Sequence, residues 1–196
     1  MNKRIHLLTA QIKQLEADLR EEIQRIKINT FEIRDRTIRF QEETKRKHKS
    51  QMIRVLVYLR RAKLKHLVTA PVIWSCLIPA LFLDLVISVY QAICFTVYGI
   101  PKVVRSDYIV FDRHYLGYLN IIEKMNCMYC SYFNGLIAYM QEVGARTEQY
   151  WCPIKHARQL RSVHSRYEKF TEFGDAEAFS ANLEEIEKDF NDLEKK

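Results

Sequence analysis

The chain has 196 residues, with 31 Lys and Arg against 24 Asp and Glu, but only 5 Gly and 4 Pro. This length leaves room for one domain, or for one domain with an extended arm. The scarcity of Gly and Pro favours long helices and argues against a strand-and-turn architecture, so we predict an all-α fold. No signal-peptide pattern opens the chain, and an odd number of cysteines favours reduced thiols or metal ligands over a disulfide framework.

Charge is unevenly distributed along the chain. Residues 1–66 hold 18 Lys and Arg against 8 Asp and Glu, whereas residues 175–196 hold 3 against 8. We therefore predict four parts. They are a basic amphipathic helix at 1–66, a membrane-inserted segment at 67–101, a compact helical Cys/His body at 102–173 and an acidic amphipathic helix at 174–196.

The N-terminal arm carries an apolar residue at every seventh position, a spacing that predicts one long helix and a coiled coil. This series is Ile5, Ile12, Leu19, Ile26, Ile33 and Phe40. The second core position becomes polar from Glu22 onward, which weakens the seam. We expect a homo-oligomer or a partner coiled coil, with an amphipathic helix lying on its own protein as the alternative.

A basic cluster closes the arm and directly precedes the apolar segment. It contains Lys45, Arg46, Lys47, Lys49, Arg60, Arg61, Lys63 and Lys65. Such charge attracts anionic lipid head groups as well as nucleic acid. Because no nucleic-acid-reading motif accompanies it, we expect contact with a lipid membrane and no nucleic-acid binding.

From Leu67 to Pro101 the only charged residue is Asp84. The segment exceeds the roughly 20 apolar residues that a membrane-spanning helix needs, so we predict insertion, with a buried core helix as the alternative. Pro79 is expected to kink the helix. An acid in hydrocarbon is costly, so Asp84 should face a protein interior, a water-filled cavity or the turn of a re-entrant hairpin. Asp84 is thus a candidate intramembrane polar site.

The excess of Lys and Arg before the apolar segment places the arm in the cytoplasm. A single crossing puts the cysteine-bearing body outside, and a re-entrant insertion keeps it inside. Both topologies stay open, and the free cysteines favour the second.

Four thiol and imidazole groups form the predicted metal site: Cys127, Cys130, Cys152 and His156. Cys152 precedes Pro153, a residue favoured in the first turn of a helix, so Cys152 and His156 are expected to share a helix start. The spacing resembles that of structural zinc sites, and iron is also compatible with these ligands. A dithiol at Cys127 and Cys130, or buried cysteines without a metal, are the alternatives.

Helix geometry makes this metal hypothesis testable. If residues 127–150 formed one straight helix, Cys152 would lie roughly 33 Å from Cys130, at 1.5 Å per residue. A shared ion therefore requires a helical hairpin, with the break at Asn134-Gly135 or at Gly144.

Two further polar residues are secondary candidates. His114 lies beside Asp112, a predicted helix N-cap, and could act as an acid or base or be hydrogen-bonded structurally. Glu123 shares a helix face with Cys127 and Cys130. The sequence contains no phosphate-binding loop and no nucleophile elbow, which makes an enzymatic function the weaker expectation.

Two sequence blocks carry a resemblance to a known group of proteins. They are Asn126-Cys-Met-Tyr-Cys-Ser-Tyr-Phe-Asn-Gly135 and Glu148-Gln-Tyr-Trp-Cys-Pro-Ile-Lys-His156. Over residues 70–175 the chain resembles a family of small bacterial membrane proteins of unassigned activity. The resemblance implies the inner membrane of a bacterium and no mechanism.

Together these features predict a membrane-attached helical scaffold or interaction protein with a structural zinc or iron site. The alternative is a membrane redox component that uses the Cys127/Cys130 dithiol or a thiolate-bound iron.

Overall fold

The computed structural model describes residues 11–12, 14–23, 31–34 and 37–193. The chain divides into two compact units. The first combines Met1–Arg61 with Asp112–Met125, and the second combines Ala62–Phe111 with Asn126–Lys196. The described residues are mostly helical, which confirms the coarse prediction of a helical fold.

The first unit contains a short strand pair that the sequence analysis did not predict. Residues 14–23 are helical, but β1 (Phe31–Arg34) and β2 (Thr37–Phe40) pair antiparallel. α1 (Glu42–Gln51) and α2 (Val55–Arg61) follow. The prediction of one unbroken helix over residues 1–66 is therefore wrong between 31 and 40. Apolar and charged residues alternate there, and β-branched and aromatic residues favour a strand.

The arm's predicted coiled coil remains a prediction. Ile5 and Ile26 of its heptad series lie outside the described residues. The described helical segment at 14–23 exposes Leu15 and Leu19 to solvent, at 67% and 61% of their surface.

The second unit begins with a helix that is long and apolar enough to cross a membrane, from Leu64 to Tyr98; we call it the apolar helix. It consists of α3 (Leu64–Ser75), α4 (Leu77–Tyr90), a π-helical turn (Gln91–Phe95) and α5 (Thr96–Tyr98). The break at Cys76 follows from Pro79, which has no N–H to donate to the carbonyl of Ser75.

Gly99 ends the apolar helix. Its φ of 70° is a left-handed conformation that glycine adopts without steric cost. The N–H of Ile100 then donates to the carbonyl of Phe95 at 2.9 Å, the 6→1 bond of a Schellman motif, and Ile100 is buried. The chain therefore reverses its direction at Gly99.

α6 (Ile121–Trp151) is the longest uninterrupted α-helix among the described residues. From Tyr132 onward it contributes to the core of the second unit, where Phe95 packs with Leu136, Tyr139 and Val143. Its buried positions recur at intervals of three and four residues, the spacing of a helix with one apolar face.

The acidic C-terminal segment forms α7 (Ala176–Lys188). The side chain of Asp175 accepts a hydrogen bond from the N–H of Ala178 at 2.9 Å and so caps the start of the helix. The helix ends at Lys188, earlier than the predicted 196, and the following Phe190 joins the core.

Candidate functional site

Asp84 lies on the face of α4 that packs against α6, and only 9% of its surface is exposed. Arg105 donates two hydrogen bonds to it, from Nε to Oδ1 at 3.1 Å and from Nη2 to Oδ2 at 2.5 Å. The hydroxyl of Tyr132 donates to Oδ2 at 2.9 Å. Among the three environments open to Asp84, the structure shows a protein interior with a paired charge, which removes most of the cost of burying it.

The partners of Asp84 are held in the protonation states that this pairing requires. The hydrogen bond to Asp84 raises the pKa of the Arg105 guanidinium. Burial, together with the neighbouring carboxylate, raises the pKa of Tyr132 to about 12. Both groups thus remain donors at neutral pH. The Asp84 cluster, which we define as Asp84, Arg105 and Tyr132, is therefore a fixed ion-pair clamp.

A second polar contact lies two turns further along the apolar helix. The side-chain oxygen of Gln91 accepts a hydrogen bond from the backbone N–H of Val103 at 2.7 Å, and its Nε2 donates to the hydroxyl of Tyr139 at 3.1 Å. Gln91 begins the π-helical turn, a feature that is frequent at functional sites. Here the turn is associated with a buried side-chain amide whose hydrogen bonds are satisfied.

α6 runs parallel to the apolar helix. The hydroxyl of Tyr129 donates to the carbonyl of Ile73 at 2.8 Å, and near the other end the rings of Tyr98 and Tyr150 are 5.3 Å apart. Residue numbers thus increase together on the two helices. The contact extends from Ile73 to Tyr98 and is not confined to the Asp84 cluster.

The four predicted metal ligands do not come together within the chain. α6 continues without a break through Gly135 and Gly144 to Trp151, so Cys130 and Cys152 are separated by roughly 33 Å of helix axis. Among the residues that the structure describes, no group of three or more His, Cys, Asp or Glu side chains could hold a metal ion. The predicted helical hairpin is wrong.

Gly135 has a different role. A Cβ atom at this position would lie 2.6 Å from the carbonyl oxygen of Tyr108 and 2.9 Å from the Cα of Ile109. The glycine therefore permits close packing of the 105–109 segment against α6, inside an intact helix.

Cys152 and His156 do not begin a helix, contrary to the prediction. Cys152 is exposed beyond the end of α6, and the next residues extend to an isolated bridge between Ile154 and Thr171. The backbone N–H of His156 donates to the hydroxyl of Tyr167 at 2.7 Å. Pro153 therefore occupies an extended segment and not a helical first turn.

Glu123 and His114, both in the first unit, have structural contacts. The backbone N–H of Asn120 donates to Glu123 Oε2 at 2.9 Å, while Asn120 Oδ1 accepts from the N–H of Glu123 at 3.1 Å. This reciprocal pair is a capping box at the start of α6. Asp112, predicted as the N-cap, precedes only the short 3-10 turn Arg113–Tyr115, where the His114 ring lies 3.9 Å from that of Tyr115.

The predicted lipid-facing basic residues are exposed. Lys45 pairs with Glu42 at 2.6 Å on the surface of α1, and Arg60 and Arg61 end α2. In the second unit, Lys63 and Lys65 lie at the start of the apolar helix, and both are exposed.

A buried charged cluster that was not predicted from the sequence lies on another side of α6. Glu142 accepts from Arg146 at 2.9 Å and from Ser165 at 2.7 Å, and Arg166, with 2% of its surface exposed, donates to Asp192 at 2.8 Å. These charges pair with each other across 50 residues of sequence. In the sequence, only the four-residue spacing of Glu142 and Arg146, which allows an ion pair on one helix face, indicated this cluster.

Arg105 and Tyr132 were also missed. A buried acid needs a cation, and an arginine soon after the apolar segment is suited to bidentate pairing with a carboxylate. That reasoning could have singled out Arg105. No comparable signal marks Tyr132 among the aromatic residues of α6.

Comparison with known proteins gives no relative from which a role could be transferred. No family model, curated protein or solved structure matches the chain.

Proposed function

We propose that this chain is a membrane-attached helical scaffold or interaction protein. The observation that carries the proposal is the apolar helix, which is long and apolar enough to cross a membrane and has only 6% of its most apolar stretch buried. Soluble proteins rarely leave so large an apolar surface exposed.

The N-terminal arm supplies the assembly function in this proposal. Its described helical segment exposes apolar side chains at spacings of three and four residues: Ile12, Leu15, Leu19 and Ile23. Such a stripe is buried when a second helix packs on it. We propose that this second helix comes from another copy of the chain.

The location follows from the charge pattern. Exposed Lys63 and Lys65 at the start of the apolar helix favour contact with an anionic leaflet. We propose the inner membrane of a bacterium as the location, with the arm in the cytoplasm, where the excess of Lys and Arg before the apolar helix favours it. The proposed function does not depend on zinc or iron, because the predicted ligands do not meet within one chain.

The redox alternative stays a prediction. Cys127 is half-buried and Cys130 is exposed on one continuous helix, and the Asp84 carboxylate is occupied by its ion pair.

Membrane fractionation and assembly measurements test the proposed function. We expect the full chain in the membrane fraction and, after purification, in flotation with vesicles of phosphatidylethanolamine and phosphatidylglycerol. In detergent we expect an oligomer by sedimentation, and we expect Leu15→Lys with Leu19→Lys to convert it to a monomer. Recovery of the full chain as a monomer in the soluble fraction would contradict both parts of the proposal.

A further inference from the structure

One side of the apolar helix is apolar without interruption. Between Ile78 and Val97 every exposed residue is apolar except Thr96, whose hydroxyl donates to the carbonyl of Ala92 at 2.7 Å. We define the apolar face by its large exposed side chains, which are Ile78, Leu81, Phe82, Leu83, Leu85, Val86, Val89, Ile93 and Val97.

The exposed hydroxyl groups nearer the start of the helix are satisfied in the same way. Thr69 donates to the carbonyl of Lys65 at 2.9 Å, and Ser75 donates to that of Val72 at 2.7 Å. Because these hydroxyl groups bond within their own helix, they do not need water. That is the condition under which a surface can face hydrocarbon.

The polar side chains of α4 and the π-helical turn lie on the opposite side, toward α6. Asp84 and Gln91 are buried there, and Ser88 is partly buried. The helix therefore has one face that packs on protein through polar contacts and another face that exposes apolar side chains.

The chain beyond Gly99 runs back along the apolar helix. Val103 lies beside Gln91, and Arg105 lies beside Asp84. Lys102 and Arg105 are both exposed along this irregular returning segment. Backbone that is not α-helical, with the exposed Arg105, thus lies level with the middle of the helix.

This arrangement is incompatible with a plain transmembrane crossing. If the apolar helix stood across the bilayer, Arg105 and the backbone around it would lie near the centre of the hydrocarbon. Lipid-exposed irregular backbone does not occur at that depth, and a cation whose side chain is 45% exposed is costly there even when it pairs with Asp84. The parallel α6 cannot complete a conventional pair of spans, because the returning segment would itself have to cross the bilayer.

We propose that the apolar helix lies in the plane of the membrane, with its apolar face buried in one leaflet and both of its ends on the same side. This inference rests on the proposed membrane attachment and adds its geometry. The 35 residues extend about 50 Å along the surface. Lys63, Lys65 and Lys102 then meet anionic lipid head groups near the two ends, an arrangement typical of in-plane amphipathic helices.

A lipid leaflet fits this face better than a protein does. Protein interfaces are only about 56–65% apolar and contain hydrogen bonds at intervals of one per 100–200 Å². The apolar face has no free side-chain donor or acceptor between Ile78 and Val97 among these described residues. The basic residues near its ends complement phosphate groups rather than another copy of the same basic surface.

Labelling from one side of the membrane tests the topology. In a background without the five native cysteines, Lys63→Cys and Lys102→Cys are introduced singly into the full chain. Spheroplasts and inside-out vesicles from bacterial cells are then treated with a membrane-impermeant maleimide. We expect both positions to react in inside-out vesicles and neither in spheroplasts before lysis. Reaction from opposite sides would overturn the in-plane arrangement while leaving membrane attachment intact.

A matched pair of substitutions tests what covers the apolar face. Phe82 and Phe173 are both 67% exposed, and only Phe82 lies on this face. We expect Phe82→Glu to weaken binding to phosphatidylglycerol-containing vesicles by about tenfold or more, and Phe173→Glu to leave it unchanged. Equal effects of the two variants would refute the inference. So would loss of an oligomer in Phe82→Glu with vesicle binding retained, because that result assigns the face to a protein partner. Absence of vesicle binding by the unaltered chain would instead refute the proposed function.

Discussion

Replacing Arg105 with methionine tests the Asp84 cluster directly. The substitution retains much of the aliphatic stem but leaves the Asp84 carboxylate, which is 9% exposed, with only hydroxyl partners. Breaking a fully buried ion pair costs about 3–5 kcal/mol. The Arg105 side chain is 45% exposed, so water compensates in part, and we expect a loss of about 2 kcal/mol in the free energy of unfolding.

A double-mutant cycle separates the pair from other effects of the change. Asp84→Asn retains an acceptor for Tyr132 but removes the charge, and we expect it to cost about 1 kcal/mol. In the double variant the loss in the free energy of unfolding should be about 1 kcal/mol smaller than the sum of the two single losses, since the second substitution has no ion pair left to break. Lys102→Met, which removes a nearby exposed cation, serves as the control.

Tryptophan fluorescence during urea unfolding in detergent micelles measures these differences. The chain has two tryptophans, Trp74 and Trp151, and both belong to the second unit. Trp74 packs against Tyr129 with ring centroids 5.1 Å apart, so the signal reports the contact between the apolar helix and α6. If Arg105→Met lowered the free energy of unfolding no more than Lys102→Met does, the ion-pair clamp would be refuted. Additive losses from Asp84→Asn and Arg105→Met would refute it as well.

Two further predictions are measured in the same unfolding assay, and a third is measured by circular dichroism. Gly135→Ala should destabilise the second unit by about 2 kcal/mol, because its Cβ would meet backbone atoms 2.6 and 2.9 Å away. Gly144→Ala, whose Cβ would have nothing within 4 Å, should stabilise it by about 0.5–1 kcal/mol. A change of the same sign in the two free energies of unfolding would contradict this prediction. Burial raises the pKa of Asp192, but bonds to Lys169 and Arg166 together outweigh it and lower that pKa to about 2. The pKa of Asp192 in the folded state is thus below its unfolded value of 3.8. Its contribution to the free energy of unfolding is therefore present above pH 4 and is lost as the pH falls toward 2. Asp192→Asn should remove this dependence of the free energy of unfolding on pH. Asp175→Ala should shorten α7, seen as reduced helical circular dichroism, at a cost of about 1 kcal/mol.

The sequence indicated the apolar helix well because its signal is local. A long stretch with one charge predicts a helix by composition alone, and the structure places that helix at Leu64–Tyr98. The same stretch also showed that Asp84 needs a partner. It could not identify that partner fully, because Arg105 is 21 residues away and Tyr132 is 48 residues away, and no periodicity connects them.

The predicted helical hairpin was wrong at a glycine that has two physical uses. Gly135 could end a helix or admit a neighbouring backbone, and these uses look identical in a single sequence. The close approach of Tyr108 and Ile109 shows the second use. Once α6 is continuous, the spacing of Cys130 and Cys152 is too long for one ion.

Residues 31–40 fit two sequence patterns at once, the heptad spacing of a coiled-coil helix and the two-residue alternation of a strand. Ile33 and Phe40 fit the heptad series, but the residues from Phe31 to Phe40 also alternate between apolar and charged around the central pair of charges. The structure pairs Ile33 with Ile38 across two strands. Strand propensity over this short stretch outweighed the helical spacing that the rest of the arm suggested.

The Schellman turn at Gly99 has a consequence for the choice of lipid. A helix that crosses a bilayer has to match the thickness of the hydrocarbon layer, and mismatch sorts such proteins between thin and thick membranes. Here the chain itself sets where the helix ends, through the left-handed glycine and the bond from Ile100 to Phe95. If the helix lies flat as proposed, we expect it to bind short-chain and long-chain lipids alike, with head-group charge rather than acyl-chain length selecting its membrane.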